Sequence, residues 1–157
     1  MIGPRGALRD HQLVRQGAAG PEFVLAFGET TGTGRDIVVT QRDIGEIQLA
    51  KAAVRAGIGI LLDDAGIGEQ EIDEVVIAGG FGSGIDPVSA VGIGMFPPLP
   101  PGRFRQVGNA AGAGARIALV SKRGRAIAKE IARRVRHVEL ATHPGFSRAF
   151  SRGLRFP

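Results

Sequence analysis

Apolar and polar positions change their period several times along this chain. Residues 1–20 are polar and glycine-rich and predict a poorly ordered arm ahead of a domain spanning 21–157. Residues 22–27 (EFVLAF) and 36–40 (DIVVT) are short β-branched and aromatic runs separated by a glycine- and threonine-rich loop, which predicts a hairpin. Thr40, with Asp43 three residues on, then opens a helix in the manner of a capping box. Ile47, Ala50, Val54, Ile58 and Leu61 follow at three- and four-residue steps, predicting a core-facing stripe that ends near Gly66. Residues 74–79 (EVVIAG) form a continuous apolar run, the pattern of a strand buried on both faces.

That strand runs into glycines at 79, 80, 82 and 84, after which Asp86-Pro87 predicts a new helix with proline in its first turn. Residues 95–104 (MFPPLPPGRF) read as a proline-stiffened connector. Residues 106–119 (QVGNAAGAGARIAL) read as a strand end turning into a glycine- and alanine-rich helix that must pack closely against something. A basic helix carrying Ile127, Ile131 and Val135 follows, then residues 137–140 (HVEL) as a strand and a last segment from His143. Strands alternating with helices predict an α/β domain.

Composition narrows the chemistry. With no cysteine, thiolate metal sites, disulfides and iron–sulfur ligation within these residues are excluded. No apolar run reaches the roughly 18 residues of a membrane span, and residues 1–17 lack a signal-peptide pattern, so the sequence predicts a cytoplasmic protein without a membrane partner. The net charge of +5 conceals a split. Residues 1–102 hold 7 Lys and Arg against 13 Asp and Glu, whereas residues 103–157 hold 13 against 2. The basic residues sit mainly on the solvated face of an amphipathic helix, with no aromatics interleaved to stack bases. A nucleic-acid partner is therefore the minor option.

The glycine cluster could grip a phosphate, receive a base and sugar, or only make a tight turn. A phosphate loop needs G-x-x-x-x-G-K-[ST], which is absent. The dinucleotide fingerprint G-x-G-x-x-G fails at Ile85 in GFGSGI and at Ile117 in GAGARI. What survives is a strand-Gly-Gly-Phe-Gly turn at the carboxyl end of a strand, where ligands sit in open α/β sheets. Bare backbone there lets a flat group approach where a Cβ would clash.

The pairing of VVIAGGFG with GNAAGAGARIAL about 30 residues later resembles the adenosine and second connecting motifs of the actin-like ATPase superfamily, which includes sugar kinases and chaperone ATPases. More closely, DIVVTQRDIGEIQLAKAAVRAGIGILL, IAGGFGSGIDPVSAVGIGMFPPLP, VGNAAGAGARIAL and LRFP look like the C-terminal lobe of the reductive activators of corrinoid proteins. The resemblance covers about residues 22–157. It implies a ribonuclease H-like lobe with a mixed sheet flanked by helices. It implies ATP as the nucleotide, hydrolysed to drive reduction of a Co(II) corrinoid to Co(I) in a methyltransferase partner. Position by position, Gly79, Gly80, Phe81 and Gly82 would form the adenosine-contacting turn. Gln48 and Lys51 would reach the ribose and adenine, unless Lys51 simply snorkels to solvent. Gly108, Asn109, Ala110 and Gly112 would be the connecting motif, structural rather than catalytic.

The family's iron–sulfur cluster and its phosphate motifs, which bring Mg²⁺, lie upstream of the matching region. Asp36, Asp43 and Asp86 have plainer roles than metal binding, in a hairpin and at helix starts, and His11, His137 and His143 form no ligand spacing. No catalytic residue and no metal ligand is nominated. The sequence thus reads as a fragment or short gene for the adenosine half of a larger ATPase, inactive alone. Its partners would be an N-terminal ATPase lobe, a ferredoxin-like domain, a corrinoid protein and, left open, a second copy of itself. The alternative is a non-enzymatic nucleotide-binding or docking module working with a separate protein.

Overall fold

The structure, a computed structural model, describes residues 2–80 and 82–157, with Ser83 described by its backbone alone. Three antiparallel strands come first: β1 (Val14–Gly17), β2 (Gly20–Ala26) and β3 (Ile37–Thr40), in the order β1-β2-β3. Gly17 pairs with Gly20 across a tight turn. The β2–β3 loop is tied down by Asp36, whose Oδ1 accepts from the Gly28 amide at 2.7 Å while Oδ2 pairs with Arg15. The residues expected as a loose arm are structured. Besides β1, Gln41 accepts from the Leu8 amide and donates to the Gly6 carbonyl, and the Phe156 amide donates to the Pro4 carbonyl.

Helix α1 (Gln41–Ala65) starts as the sequence predicts. Thr40 Oγ1 accepts from the Asp43 amide and Asp43 Oδ2 accepts from the Thr40 amide, so two otherwise orphaned donors are satisfied. These contacts hold the Asp43 carboxyl below the usual aspartate range. Gly66, at φ 68°, ends the helix in the left-handed conformation. The face α1 buries differs from most of the one expected, although Ile58 of the expected stripe packs against the core around Ile77. Ile47, Val54 and Leu61 are exposed, while Ile44, Lys51, Ala52, Ala56, Gly57 and Ile60 are buried. The reason is close packing against α5 (Phe146–Gly153). A Cβ on Gly153 would stand 3.0 Å from Ala52 Cα, so this crossing admits small residues and rejects large ones.

The second sheet is a parallel pair, β4 (Val75–Ala78) beside β5 (Phe104–Gly108). Antiparallel and parallel strands are thus both present, in two separate sheets. The expectation that β4 is buried on both faces is corrected, since Ile77 is buried but Val76 is 48% exposed. The described residues cover only one side of the strand. Short α2 (Pro87–Gly92) is capped by Asp86, whose Oδ2 accepts from the Ser89 amide at 2.7 Å. The proline-rich connector is not a mere spacer. Phe96, Pro97 and Leu99 are buried, and Phe96 stacks on Phe104 at 5.7 Å in a core with Ile77 and Ala90.

Helices α3 (Ala110–Val120) and α4 (Lys122–Arg134) follow β5 and bury no residue. The close approach expected of α3 is to α4, where a Cβ on Gly124 would stand 2.6 Å from Ile117 Cγ2, while Leu119 and Val120 stay 79% and 83% exposed. Residues 137–140, expected as a strand, form none, because no described strand lies alongside to complete a ladder. Among the described residues no helix is long and apolar enough to cross a membrane.

Candidate functional site

The two glycine motifs are brought together at one edge of the parallel pair. Both β4 and β5 point their carboxyl ends the same way, so Gly79 and Gly108 leave their strands side by side. The Gly79 amide donates to the Gly108 carbonyl at 2.7 Å, extending the ladder one step past the strands. This follows a register shift in which Ala78 pairs with Gly108 rather than with Val107. Both glycines adopt positive φ, 105° at Gly79 and 60° at Gly108, a region that favours glycine.

Beyond that bond the turn divides into an open part and a packed part. A Cβ added at Gly79 or Gly80 would meet nothing within 4 Å, so bare backbone faces open space. At Gly82 it would meet Ile77 Cγ2 at 2.9 Å, and Gly82 itself is buried. Gly82 therefore serves packing, and Gly79 and Gly80 present the accessible surface. Phe81 lies outside the described residues.

Gln106 is a residue the sequence reading missed. Its Nε2 donates to the Gly82 carbonyl at 3.0 Å and to the Ile85 carbonyl at 2.7 Å, holding the single 3-10 turn Gly82–Gly84 against β5. The signal was its place two residues before Gly108 on a strand adjacent to the glycine turn. Asn109 caps α3 through Oδ1, which accepts from the Gly112 amide at 2.8 Å, and Ala110 is the first residue of that helix. A Cβ at Gly112 would come within 2.6 Å of the Asn109 side chain, so Gly112 keeps room for the cap.

Gln48 and Lys51 are placed elsewhere. Gln48 Nε2 donates to the Leu154 carbonyl at 2.8 Å. Lys51 is 1% exposed, and its Nζ donates to the carbonyls of Gly153 at 2.7 Å and Arg155 at 2.5 Å, 4.8 Å from the centre of the Phe156 ring. Burial pushes this ammonium below the ordinary lysine range. Both side chains thus bind the closing segment that the sequence reading grouped as LRFP, and Lys51 does not snorkel to solvent.

Open backbone at Gly79 and Gly80 leaves room for a flat group at the glycine edge. Neither glycine turn offers a cationic side chain to a phosphate. Asp36, Asp43 and Asp86 are spent on backbone amides, and among the described residues no three His, Asp or Glu gather where a metal could be held.

A corrinoid activation enzyme, RamQ, of Eubacterium limosum is 41% identical over 133 residues, which is 85% of this chain and 22% of that protein. A solved structure of a reductive activator for corrinoid, iron-sulfur protein superposes with a TM-score of 0.88 at 36% identity, covering 99% of this chain and 25% of that one. The chain therefore spans about a quarter of the length of these relatives. The family described as the C-terminal domain of RACo, the ASKHA domain, matches residues 1–157. With two glycine turns joined at the end of a parallel strand pair and this match along its whole length, the chain belongs to the RACo C-terminal ASKHA domain family.

Proposed function

We propose that this chain provides the adenosine-contacting part of an ATP-dependent reductive activator of corrinoid proteins. The observation that carries the reading is the Gly79–Gly108 hydrogen bond, which sets two bare turns side by side at the carboxyl edge of β4 and β5. That edge is where open α/β sheets receive ligands. The base and ribose would lie against Gly79 and Gly80, while Gly82 and Gln106 keep the turn in shape. The phosphates, Mg²⁺ and the iron–sulfur cluster would be handled by other parts of the activator, since no phosphate loop and no cysteine occur in these residues. The chain alone would bind nucleotide weakly and not hydrolyse it. Its partners would be those other parts, a second ATPase lobe and a ferredoxin-like domain, together with a corrinoid protein.

A second reading, a docking module without turnover of its own, draws on the exposed α3–α4 pair. Ile117, Leu119 and Val120 present apolar surface directly after the connecting motif, as a surface for a second lobe would. The two readings differ in whether adenosine binds. Titration of labelled adenosine, ADP and ATP, followed by calorimetry, decides between them. Gly80→Val fills only open space and should keep the fold while weakening adenosine binding at least tenfold. No adenosine binding by the parent chain would leave only the docking reading, and unchanged affinity in that variant would overturn the assignment to Gly80. Mg²⁺-dependent hydrolysis by the purified chain would overturn the division of labour.

A further inference from the structure

Away from the glycine turns, five cationic side chains line a groove between α1 and α5, about 570 Å³ in volume. Arg55 and Lys51 come from α1, Arg148 and Arg152 from α5, and Arg155 from the segment after it. Two carboxylates face the same space, Asp63 and Glu69. Glu69 is committed to Arg55 Nη2. Among the described residues Arg148, Arg152 and Arg155 have no carboxylate partner, and Arg55 Nη1 is buried without any acceptor. Leaving a buried donor without an acceptor is unfavourable, so the wall of this groove lacks an oxygen at Arg55 Nη1.

We propose that this groove binds a small phosphate-type oxyanion, either free phosphate or pyrophosphate or the phosphate chain of a nucleotide. Guanidinium groups converging from two helices suit this chemistry, because each offers a planar fork of donors to phosphate oxygens. The volume lies within the usual range of about 300–1,000 Å³ for small-ligand sites. No residue of either glycine turn lines the groove, so the site is separate from the adenosine edge and does not rest on that reading. An occupant would bridge α1 to α5 and the residues after it. That would tighten the contact already made by Lys51 and Gln48.

The test is thermal unfolding of the full chain in chloride, inorganic phosphate, pyrophosphate or ATP at matched ionic strength, with Kd from calorimetry. Pyrophosphate is expected to raise the midpoint saturably above the chloride control. The double variant Arg148→Gln/Arg152→Gln should weaken that binding at least tenfold. Both side chains are exposed, so its circular dichroism should match the parent, and Arg148→Lys/Arg152→Lys should restore part of the affinity. ATP stabilising Gly80→Val to the parent's extent would assign the phosphate to a nucleotide. A response to phosphate and pyrophosphate alone would assign it to the free anion. A midpoint no higher than in chloride, or one that the glutamine variant leaves unchanged, overturns the proposal.

Discussion

Replacing Lys51 by methionine tests how the end of this domain is held. Methionine keeps most of the unbranched stem and its contacts on α1 but removes the ammonium. Two donations disappear, to the carbonyls of Gly153 and Arg155, along with the contact to the Phe156 ring. Hydrogen bonds from a charged donor contribute about 1.5–3 kcal/mol each, and an orphaned buried carbonyl costs about 1–3 kcal/mol. Against this, the variant no longer has to desolvate a charge, which is what burial costs Lys51 now. The balance is a loss of about 2–4 kcal/mol. For a chain this long that corresponds to a fall of about 5–15 °C in the unfolding midpoint. Far-UV circular dichroism is the suitable probe, because there is no tryptophan and no tyrosine to report by fluorescence. The pH dependence provides a second readout. Lys51 has a lowered folded pKa, so between that value and 10.5 the unfolded chain holds its proton while the folded chain sheds it. Parent stability should therefore rise with pH in that window, and the gap to Lys51→Met should widen. A midpoint within a degree of the parent, or a gap that narrows with rising pH, would refute the reasoning.

Gln106→Ala removes both donations to the glycine turn and should weaken adenosine binding several-fold with little loss of stability; equal affinity by calorimetry would count against a positioning role. Asp36 is held below its ordinary value of 3.8 by the Gly28 amide first and Arg15 second. Its contribution is thus complete above that value and lost as pH falls through the folded pKa, so urea midpoints should decline less steeply below pH ~4 in Asp36→Asn than in the parent. Thr40→Ala deletes the cap of α1 and should cost about 1 kcal/mol, read as a shift in urea midpoint.

What the sequence made legible was mostly local. Thr40 with Asp43, Asp86 with Pro87, and glycine at 66 each act within a turn of their own position, and all three appear as the pattern implies. The two glycine motifs were legible because strand ends and resemblance pointed to the same residues. What was hidden depended on partners far along the chain. The core-facing stripe of α1 was assigned to its large residues, yet the neighbouring helix comes so close at Gly153 that a small residue, Ala52, must lie beneath it. Lys51 was read as reaching a ribose and adenine, or else solvent, because its acceptors lie 102 and 104 residues away. Residues 137–140 had strand-like composition but no ladder to join, and periodicity alone cannot supply one. Gln106 went unnoticed because strand side chains on a half-covered sheet carry no periodic mark of what they touch.

The bonds from α1 to residues 153–155 also fix an order of events during synthesis. Helix α1 emerges from the ribosome with a lysine and a glutamine on the face it must bury, and their acceptors are encoded about a hundred codons later. Chains acquire structure from the amino end at roughly 5–20 residues per second. For about 5–20 s, then, Lys51 stays hydrated and the small-residue face around Ala52 and Ala56 stays uncovered. The amino-terminal strands can pair during that interval, but the docking of α1 cannot. Helix α5 is the one that covers α1, so a ribosome stalled before Gly153 is made would hold a nascent domain more open to protease than its length suggests.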